Sequence, residues 1–128
     1  MSVPRRIAAL LELAAQDVDA ARTLAATSNR YAAYHCQQAV EKLLKAVLLH
    51  RTIESGAEHR LDVLVALLPD GDAWKGRLRP FEEWSPYATT FRYPTPGGRI
   101  VAAPEAAKVT SAANDLDALI RAARDELR

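Results

Sequence analysis

The chain has 128 residues, the size of one domain with a single hydrophobic core. Hydrophobic residues make up 49% and charged residues 26%, a balance that is typical of a folded globular protein and excludes an intrinsically disordered chain. The formal net charge of +1 creates no overall field that would attract nucleic acid, so any contact with RNA must depend on a local cluster of cations.

The cysteine content and the N-terminal segment bear on localisation. Cys36 is the only cysteine, which excludes an internal disulfide and suits a reducing compartment. After Leu13 the N-terminal segment becomes acidic and amphipathic, and nowhere does the chain hold the roughly eighteen consecutive apolar residues of a membrane span. We therefore expect a cytoplasmic protein with neither a signal peptide nor a membrane-spanning segment.

Two long amphipathic helices are predicted in the first half of the chain. Apolar residues recur at helical spacing from Pro4 to about Ala26, and again from about Arg30 to Thr52. Ser28 or Asn29, in the polar break between these segments, can cap the second helix through a side-chain oxygen. So short a break predicts that the two helices lie side by side and antiparallel.

Shorter elements are predicted to follow. The spacing indicates a third helix of about three turns from about His59 to Leu68, after a loop in which Gly56 takes a positive φ. Helical spacing continues between Asp72 and Tyr93 but is interrupted by Pro80 and Pro86, which predicts a fourth helix that is kinked or split.

The last part of the chain is predicted to be a loop and a fifth helix. Residues 90–104 contain three prolines and two glycines, a composition typical of a loop. Pro104 suits the first position of the fifth helix, with Glu105 beside it in the first turn, and that helix then runs to the C-terminus. No segment alternates apolar and polar residues. The predicted fold is therefore all-α, an up-down antiparallel bundle of four to five helices in one domain, residues 1–128.

The second predicted helix carries two stripes of side chains at helical spacing. The apolar stripe, which we expect in the core, consists of Cys36, Val40, Leu43, Leu44, Val47 and Leu48. The polar stripe, which aligns groups that exchange protons or donate hydrogen bonds, consists of His35, Gln38, Glu41, Lys42 and Lys45. This polar row is either a site or an ordinary polar surface.

Several common sites are excluded by what the sequence lacks. It has no glycine-rich phosphate loop between a strand and a helix, no paired cysteines and no HExxH motif. The three histidines are spread along two predicted helices, with His35 and His50 fifteen residues apart on the second and His59 at the start of the third. We therefore expect neither a metal site nor a cofactor.

Three groups of residues form a recognisable pattern along the chain. They are Gln37, Gln38, Ala39, Glu41, Lys42, Lys45 and Ala46, then His59, Leu61 and Leu64, and finally Arg92, Tyr93 and Pro94. In order and spacing, from about Leu11 to Leu127, the chain resembles the HEPN family, small helical domains named for higher eukaryotes and prokaryotes nucleotide-binding. The chain is similar to the stand-alone prokaryotic branch, whose members are often encoded beside a minimal nucleotidyltransferase.

The resemblance implies a nucleotide-binding domain, in many members a metal-independent RNase that acts in a cleft between two protomers. Such RNases use an Arg and a His four to six residues apart, and Arg30 and His35 have this spacing. A neutral imidazole can take the proton of a ribose 2′-OH while a guanidinium stabilises charge on the phosphate. RNase members usually carry the pair near the start of the last long helix, where this chain has Arg92 and Arg99 without a following histidine.

Structural alternatives exist for the same residues. On one helix Arg30 and His35 are about 140° apart, so they share a face only if Arg30 lies in the preceding loop. Glu41 and Lys45 have the i, i+4 spacing that supports a helix. The row can also form a buried network with His59 or Asp62 that fixes helix register.

The aromatic residues between Trp74 and Tyr93 have two interpretations, a core with dimer contacts or a platform for bases. Arg92 is the residue best suited to a phosphate. The predicted ligand-binding residues are Gln38, Glu41, Lys42, Lys45, Tyr87, Arg92 and Tyr93, and the predicted catalytic residues are His35 and Arg30.

The sequence thus predicts a homodimeric HEPN-domain protein that binds nucleotide or RNA in a nucleotidyltransferase-associated or toxin–antitoxin-like system. RNase activity would use His35, with Arg30 or Arg92 as the oxyanion stabiliser. The alternative is a non-catalytic interaction module that regulates a partner protein.

Overall fold

The computed structural model describes residues 2–128, which form five α-helices and one 3-10 helix and contain no strand. The elements are α1 (Val3–Ala26), α2 (Tyr31–His50), α3 (Leu61–Ala66), α4 (Ala73–Leu78), the 3-10 helix (Arg79–Ala88) and α5 (Ala106–Glu126). The predicted all-α bundle is confirmed.

Helices α1 and α2 are antiparallel and form the largest packing interface of the fold. Fully buried alanines on both helices, among them Ala14, Ala21, Ala39 and Ala46, allow the two backbones to approach closely. The predicted cap of α2 is provided by Asn29, whose side-chain oxygen accepts a hydrogen bond of 2.9 Å from the backbone N–H of Tyr31. Ser28 has a φ of +54°, which turns the chain between the helices.

The hydrophobic core lies around α2. All six members of its apolar stripe are buried, as predicted from their spacing. Helices α1 and α5 cover it on one side, and the 3-10 helix with α3 and α4 on the other. Trp74, Phe81, Trp84 and Phe91 are buried within the single chain, in keeping with a core role for these aromatic residues.

Two predicted helices, α3 and α5, begin two residues later than expected. Helix α3 begins at Leu61, two residues later than expected, because Arg60 is extended and the Leu61 N–H donates to the Ser85 side chain at 3.0 Å. It has six residues instead of three turns. Helix α5 begins at Ala106, and Pro104 lies outside it, because Glu105 adopts the extended conformation of an N-cap residue.

The fourth segment is split, as its prolines predicted. Helix α4 ends at Leu78 and continues directly into the 3-10 helix, which has Pro80 in its first turn and Pro86 inside it. Gly56 has the predicted positive φ, +56°.

Residues 89–105, which we name the connecting loop, join the 3-10 helix to α5 without regular secondary structure. The chain reverses at Thr95–Arg99, where the Thr95 N–H donates to the Arg99 carbonyl and the Gly98 N–H to the Thr95 carbonyl, both at 2.8 Å. Phe91 is the buried residue that attaches the loop to the bundle.

Candidate functional site

His35 and Lys42 of the polar row share one carboxylate of α1. His35 Nδ1 lies 2.9 Å from Asp17 Oδ1, and the ammonium group of Lys42 donates to Asp17 Oδ2. Asp17 is 8% exposed. A carboxylate oxygen accepts, so Nδ1 is the donor in this contact, and in the neutral form of the partly exposed imidazole Nε2 is then the acceptor that can take a proton.

The rest of the polar row surrounds Glu41, a buried carboxylate. Its Oε2 lies 2.9 Å from His59 Nδ1 and 3.4 Å from Lys45 Nζ, and its Oε1 accepts a hydrogen bond of 3.1 Å from Gln37. Gln38 in turn donates to Gln37 at 2.7 Å. This part of the row forms the network with His59 that was one of the structural alternatives; Glu41 and Gln37 are buried, whereas the His59 side chain is 65% exposed.

Asp62 was the other predicted partner of this network, but it pairs instead with Arg60, at the surface. The polar row therefore faces α1 and the segment preceding α3. The two carboxylates in contact along the row, Asp17 of α1 and Glu41 of the row itself, are satisfied by side chains of the protein, and the contact with Asp17 leaves Nε2 of a neutral His35 as the proton acceptor.

A separate pocket of about 400 Å³ lies where the connecting loop meets the N-terminal end of α2. Its lining residues are Arg30, Phe91, Arg92, Tyr93, Pro94, Gly98, Ile100 and Val101. This loop pocket has no acidic lining residue, and residues 89–104 contain no Asp or Glu at all. It is a positively charged, partly aromatic pocket of a size that small-molecule sites commonly have.

The side chains of the loop pocket differ in how firmly the protein holds them. Arg30 lies over the ring of Phe91, with 4.6 Å between the guanidinium carbon and the ring centroid, and donates to the Val101 carbonyl. The ring of Tyr87 stacks on the same Phe91 ring, at a centroid distance of 5.4 Å. Arg92 and Tyr93 are exposed, Tyr93 by 82%.

The structure thus divides the predicted site residues into two groups. Arg30, Arg92 and Tyr93 meet at the loop pocket, and Tyr87 adjoins it through Phe91. The other group, which lies along the middle of α2, consists of His35, Gln38, Glu41, Lys42 and Lys45. Arg30 and His35 point to different partners, Val101 and Asp17, and do not form a contact pair.

Two residues that contact these groups, Asp17 beside His35 and Phe91 beneath Arg30, were not predicted from the sequence as site residues. Asp17 had a detectable signal, because it lies three residues after Ala14 and four before Ala21, at the edge of the apolar stripe of α1. The position of Phe91 beneath Arg30 had none, since it depends on a contact between residues 61 positions apart in the chain.

The profile of the HEPN domain family matches residues 7–125. The chain belongs to the HEPN family. This places the protein in a superfamily of nucleotide-binding and RNase-type domains. No curated protein and no solved structure matches the chain.

Two further properties of this HEPN domain concern metals and membranes. Among residues 2–128, no three His, Cys, Asp or Glu side chains are grouped so that they could hold a metal ion. In the same residues, every helix is either too short or too polar to cross a bilayer.

Proposed function

We propose that this HEPN domain binds the phosphate and base of a nucleotide or of single-stranded RNA at the loop pocket. The observation that carries the proposal is the exposed pair Arg92 and Tyr93 at the rim of a pocket without acidic residues. A guanidinium binds phosphate oxygens in two places at once, and an exposed aromatic ring offers a base a surface for stacking.

The local charge of the connecting loop supports the same proposal, although the net charge of the whole chain is close to zero. The connecting loop carries Arg92 and Arg99, and within residues 2–128 neither side chain forms an ion pair or a hydrogen bond. Arg30 adds a third cation at the inner wall. Unpaired guanidinium groups keep their donors available, so an anion is attracted here although the net charge is only +1.

Fluorescence anisotropy with a labelled single-stranded RNA of about twelve nucleotides tests the proposal, since such a probe exceeds the site size of a small domain. We expect Arg92→Ala and Tyr93→Ala each to weaken binding about tenfold, the cost of one phosphate contact or one stacked base. Tyr93→Phe, which keeps the ring, should bind as the wild type does.

The matched control is Arg121→Ala, which removes the same charge from α5 at a side chain that is 75% exposed and paired with Asp117. It should leave affinity nearly unchanged. If wild-type protein does not bind RNA or nucleotide, or if Arg121→Ala weakens binding as much as Arg92→Ala does, the loop pocket is not the binding site.

A second candidate activity is metal-independent RNA cleavage with His35 as the general base. The 2.9 Å contact with Asp17 favours it, because a carboxylate on Nδ1 fixes the tautomer and leaves Nε2 to accept the 2′-OH proton. Arg92 would stabilise the charge on the phosphate, since Arg30 is engaged by Phe91 and Val101. Cleavage of mixed RNA in EDTA should then be lost in His35→Ala and retained in His50→Ala.

At the level of the cell, we propose that the protein acts as a cytoplasmic homodimer, with a minimal nucleotidyltransferase as partner in a two-component or toxin–antitoxin-like system. Exposed Tyr93 and Ile100 support association, since large apolar side chains at one surface often mark an interface. Sedimentation at high concentration tests the dimer, and co-purification with the product of a neighbouring nucleotidyltransferase gene tests the partner.

The alternative is an interaction module without affinity for RNA, which regulates a protein partner. The two hypotheses give opposite results in the anisotropy experiment. Under the alternative, Tyr93→Ala would impair capture of the partner, while neither the wild type nor any variant would bind RNA.

A further inference from the structure

Two adjacent residues at the start of α2, Arg30 and Tyr31, contact the connecting loop. We call the part of the loop before the Thr95–Arg99 reversal its first arm and the part after it the second arm. The guanidinium group of Arg30 covers the ring of Phe91 on the first arm and donates to the Val101 carbonyl on the second. The hydroxyl of Tyr31 donates to the Phe91 carbonyl at 3.3 Å. The partners of Arg30 lie on opposite sides of the Thr95–Arg99 reversal, so one side chain joins the two arms.

Apart from the buried ring of Phe91, which also stacks on Tyr87, the loop itself offers little else to fix its position. Its internal backbone hydrogen bonds are concentrated in the Thr95–Arg99 reversal, and most of its residues are exposed. Ordering a loop of this length costs conformational entropy at every residue, so contacts from outside the loop must offset that cost. Arg30 and Tyr31 provide such contacts from a rigid helix.

We propose that Arg30, assisted by Tyr31, is a positioning residue that holds the connecting loop so that Arg92 and Tyr93 face the ligand. This inference rests on the proposed binding function of the loop pocket. One face of the Arg30 guanidinium is covered by Phe91 and Nη2 is engaged by Val101. Arg30 therefore acts on the ligand through the loop, and Arg92 supplies the phosphate contact.

The chemistry of the contact requires a guanidinium. Its planar group can stack on an aromatic ring while an N–H in the same plane donates to a carbonyl. An ammonium group keeps the positive charge but is compact and strongly hydrated, and it cannot reproduce the stacked geometry. Arg30→Lys consequently separates the two roles, since it retains the charge and loses the position.

The salt dependence of RNA binding distinguishes positioning from direct contact. Each phosphate contact to a single strand contributes about 0.7 to the slope of log K against log salt concentration. Arg92→Ala should lower this slope by about that amount. Arg30→Ala and Arg30→Lys should both weaken binding about tenfold with the slope unchanged, because the number of phosphate contacts stays the same.

Limited proteolysis of the free protein gives a readout without RNA. Proteolysis requires a segment that can open locally, so tryptic cleavage after Arg92 and Arg99 should accelerate in Arg30→Ala and Arg30→Lys, in which the loop is held less firmly. Tyr31→Phe, which removes one hydroxyl, should show a smaller increase, and Arg121→Ala none. Circular dichroism confirms that each variant keeps its helices.

Unchanged proteolysis in both Arg30 variants overturns the inference, and so does a loss of slope in Arg30→Ala equal to that in Arg92→Ala. The proposed function fails separately, if the wild type binds no RNA. In that case accelerated cleavage would still establish that Arg30 holds the loop.

Discussion

Asp17 of α1 and His35 of α2 are joined by a contact of 2.9 Å between Oδ1 and Nδ1, and the other oxygen of the same carboxylate accepts from Lys42. The Asp17 side chain is 10% exposed, so His35 and Lys42 replace the water that folding removed from its two oxygens. One carboxylate with both oxygens engaged fixes how far α1 can slide along α2.

Replacing Asp17 with Asn should lower the free energy of unfolding by about 2 kcal/mol at pH 7, because Lys42 loses its partner in a partly buried position. Urea denaturation followed by circular dichroism measures the change. Asp19→Asn is the matched control, since that side chain is 80% exposed and its contact with Arg22 is long, at 3.9 Å. Its effect should stay within about 0.5 kcal/mol, and equal losses in the two variants would contradict the assigned role.

The thiol of Cys36 should be unreactive in the folded protein. Burial, assisted by the negative charge of Asp17, raises the pKa of Cys36 to about 12, and its residue is fully buried. At pH 8 the group is therefore a shielded thiol and not a thiolate, which is the reactive form. An aromatic disulfide reagent should label it only after unfolding in urea. Labelling within seconds in native buffer would show that α2 opens at this position.

The long helices could be predicted from sequence because their signal is local. The spacing of Val40, Leu44 and Val47 alone indicates which face of α2 is buried, and Pro80 and Pro86 disrupt the fourth segment whatever surrounds them. The start of α3 could not be predicted, because the contact that determines it, from the Leu61 N–H to Ser85, crosses 24 positions.

The candidate site was predictable in its residue types but not in its grouping. Arg92 and Tyr93 stood out because they belong to the motif with Pro94 that resembles the HEPN family, and because a planar guanidinium suits a phosphate. Arg30 joins Arg92 and Tyr93 because the connecting loop returns to place Phe91 beside the start of α2. His35 pairs with α1 because its side chain points to a different side of α2. No periodicity in the sequence encodes that return.

Asp72 should make stability depend on pH in the acidic range. A bidentate hydrogen bond from Arg51, at 2.8 and 3.3 Å, lowers the pKa of Asp72 below its usual value, and the Trp74 N–H adds to this. A lowered folded-state pKa means that the stabilisation is complete above the unfolded pKa of about 3.9 and is lost as pH falls through the folded value.

Asp72→Asn isolates this effect, because Asn retains the oxygen that caps α4 at the Trp74 N–H. We expect the wild type to be more stable by about 1 kcal/mol at pH 7, and the difference to shrink below about pH 4. Thermal unfolding from pH 2 to pH 7 measures it. Asp115→Asn, which alters an exposed carboxylate, is the control, and a difference that persists at pH 2 would argue against the ion pair.

Gly98 should be required for the reversal of the connecting loop, whereas its neighbour Gly97 should not. The φ of Gly98 is +81°, a conformation that costs a residue with a Cβ about 1 kcal/mol, although no atom lies within 4 Å of a Cβ built there. Gly97 has no such φ, and a Cβ on it would meet only the Thr95 hydroxyl, at 4.0 Å. The cost in Gly98→Ala is therefore conformational and not steric.

The strain should appear as local opening, because the hydrogen bond from the Thr95 N–H to Arg99 closes the same turn. Amide exchange at Thr95 should quicken about fivefold in Gly98→Ala and stay unchanged in Gly97→Ala, as a cost of about 1 kcal/mol implies. Arg92 and Arg99 lie on either side of the turn. If the loop pocket binds RNA, the affinity for RNA should therefore fall in Gly98→Ala and stay unchanged in Gly97→Ala. Equal exchange in the two variants would mean that the turn tolerates either conformation, and the loop would then depend on Arg30 and Phe91 for its shape.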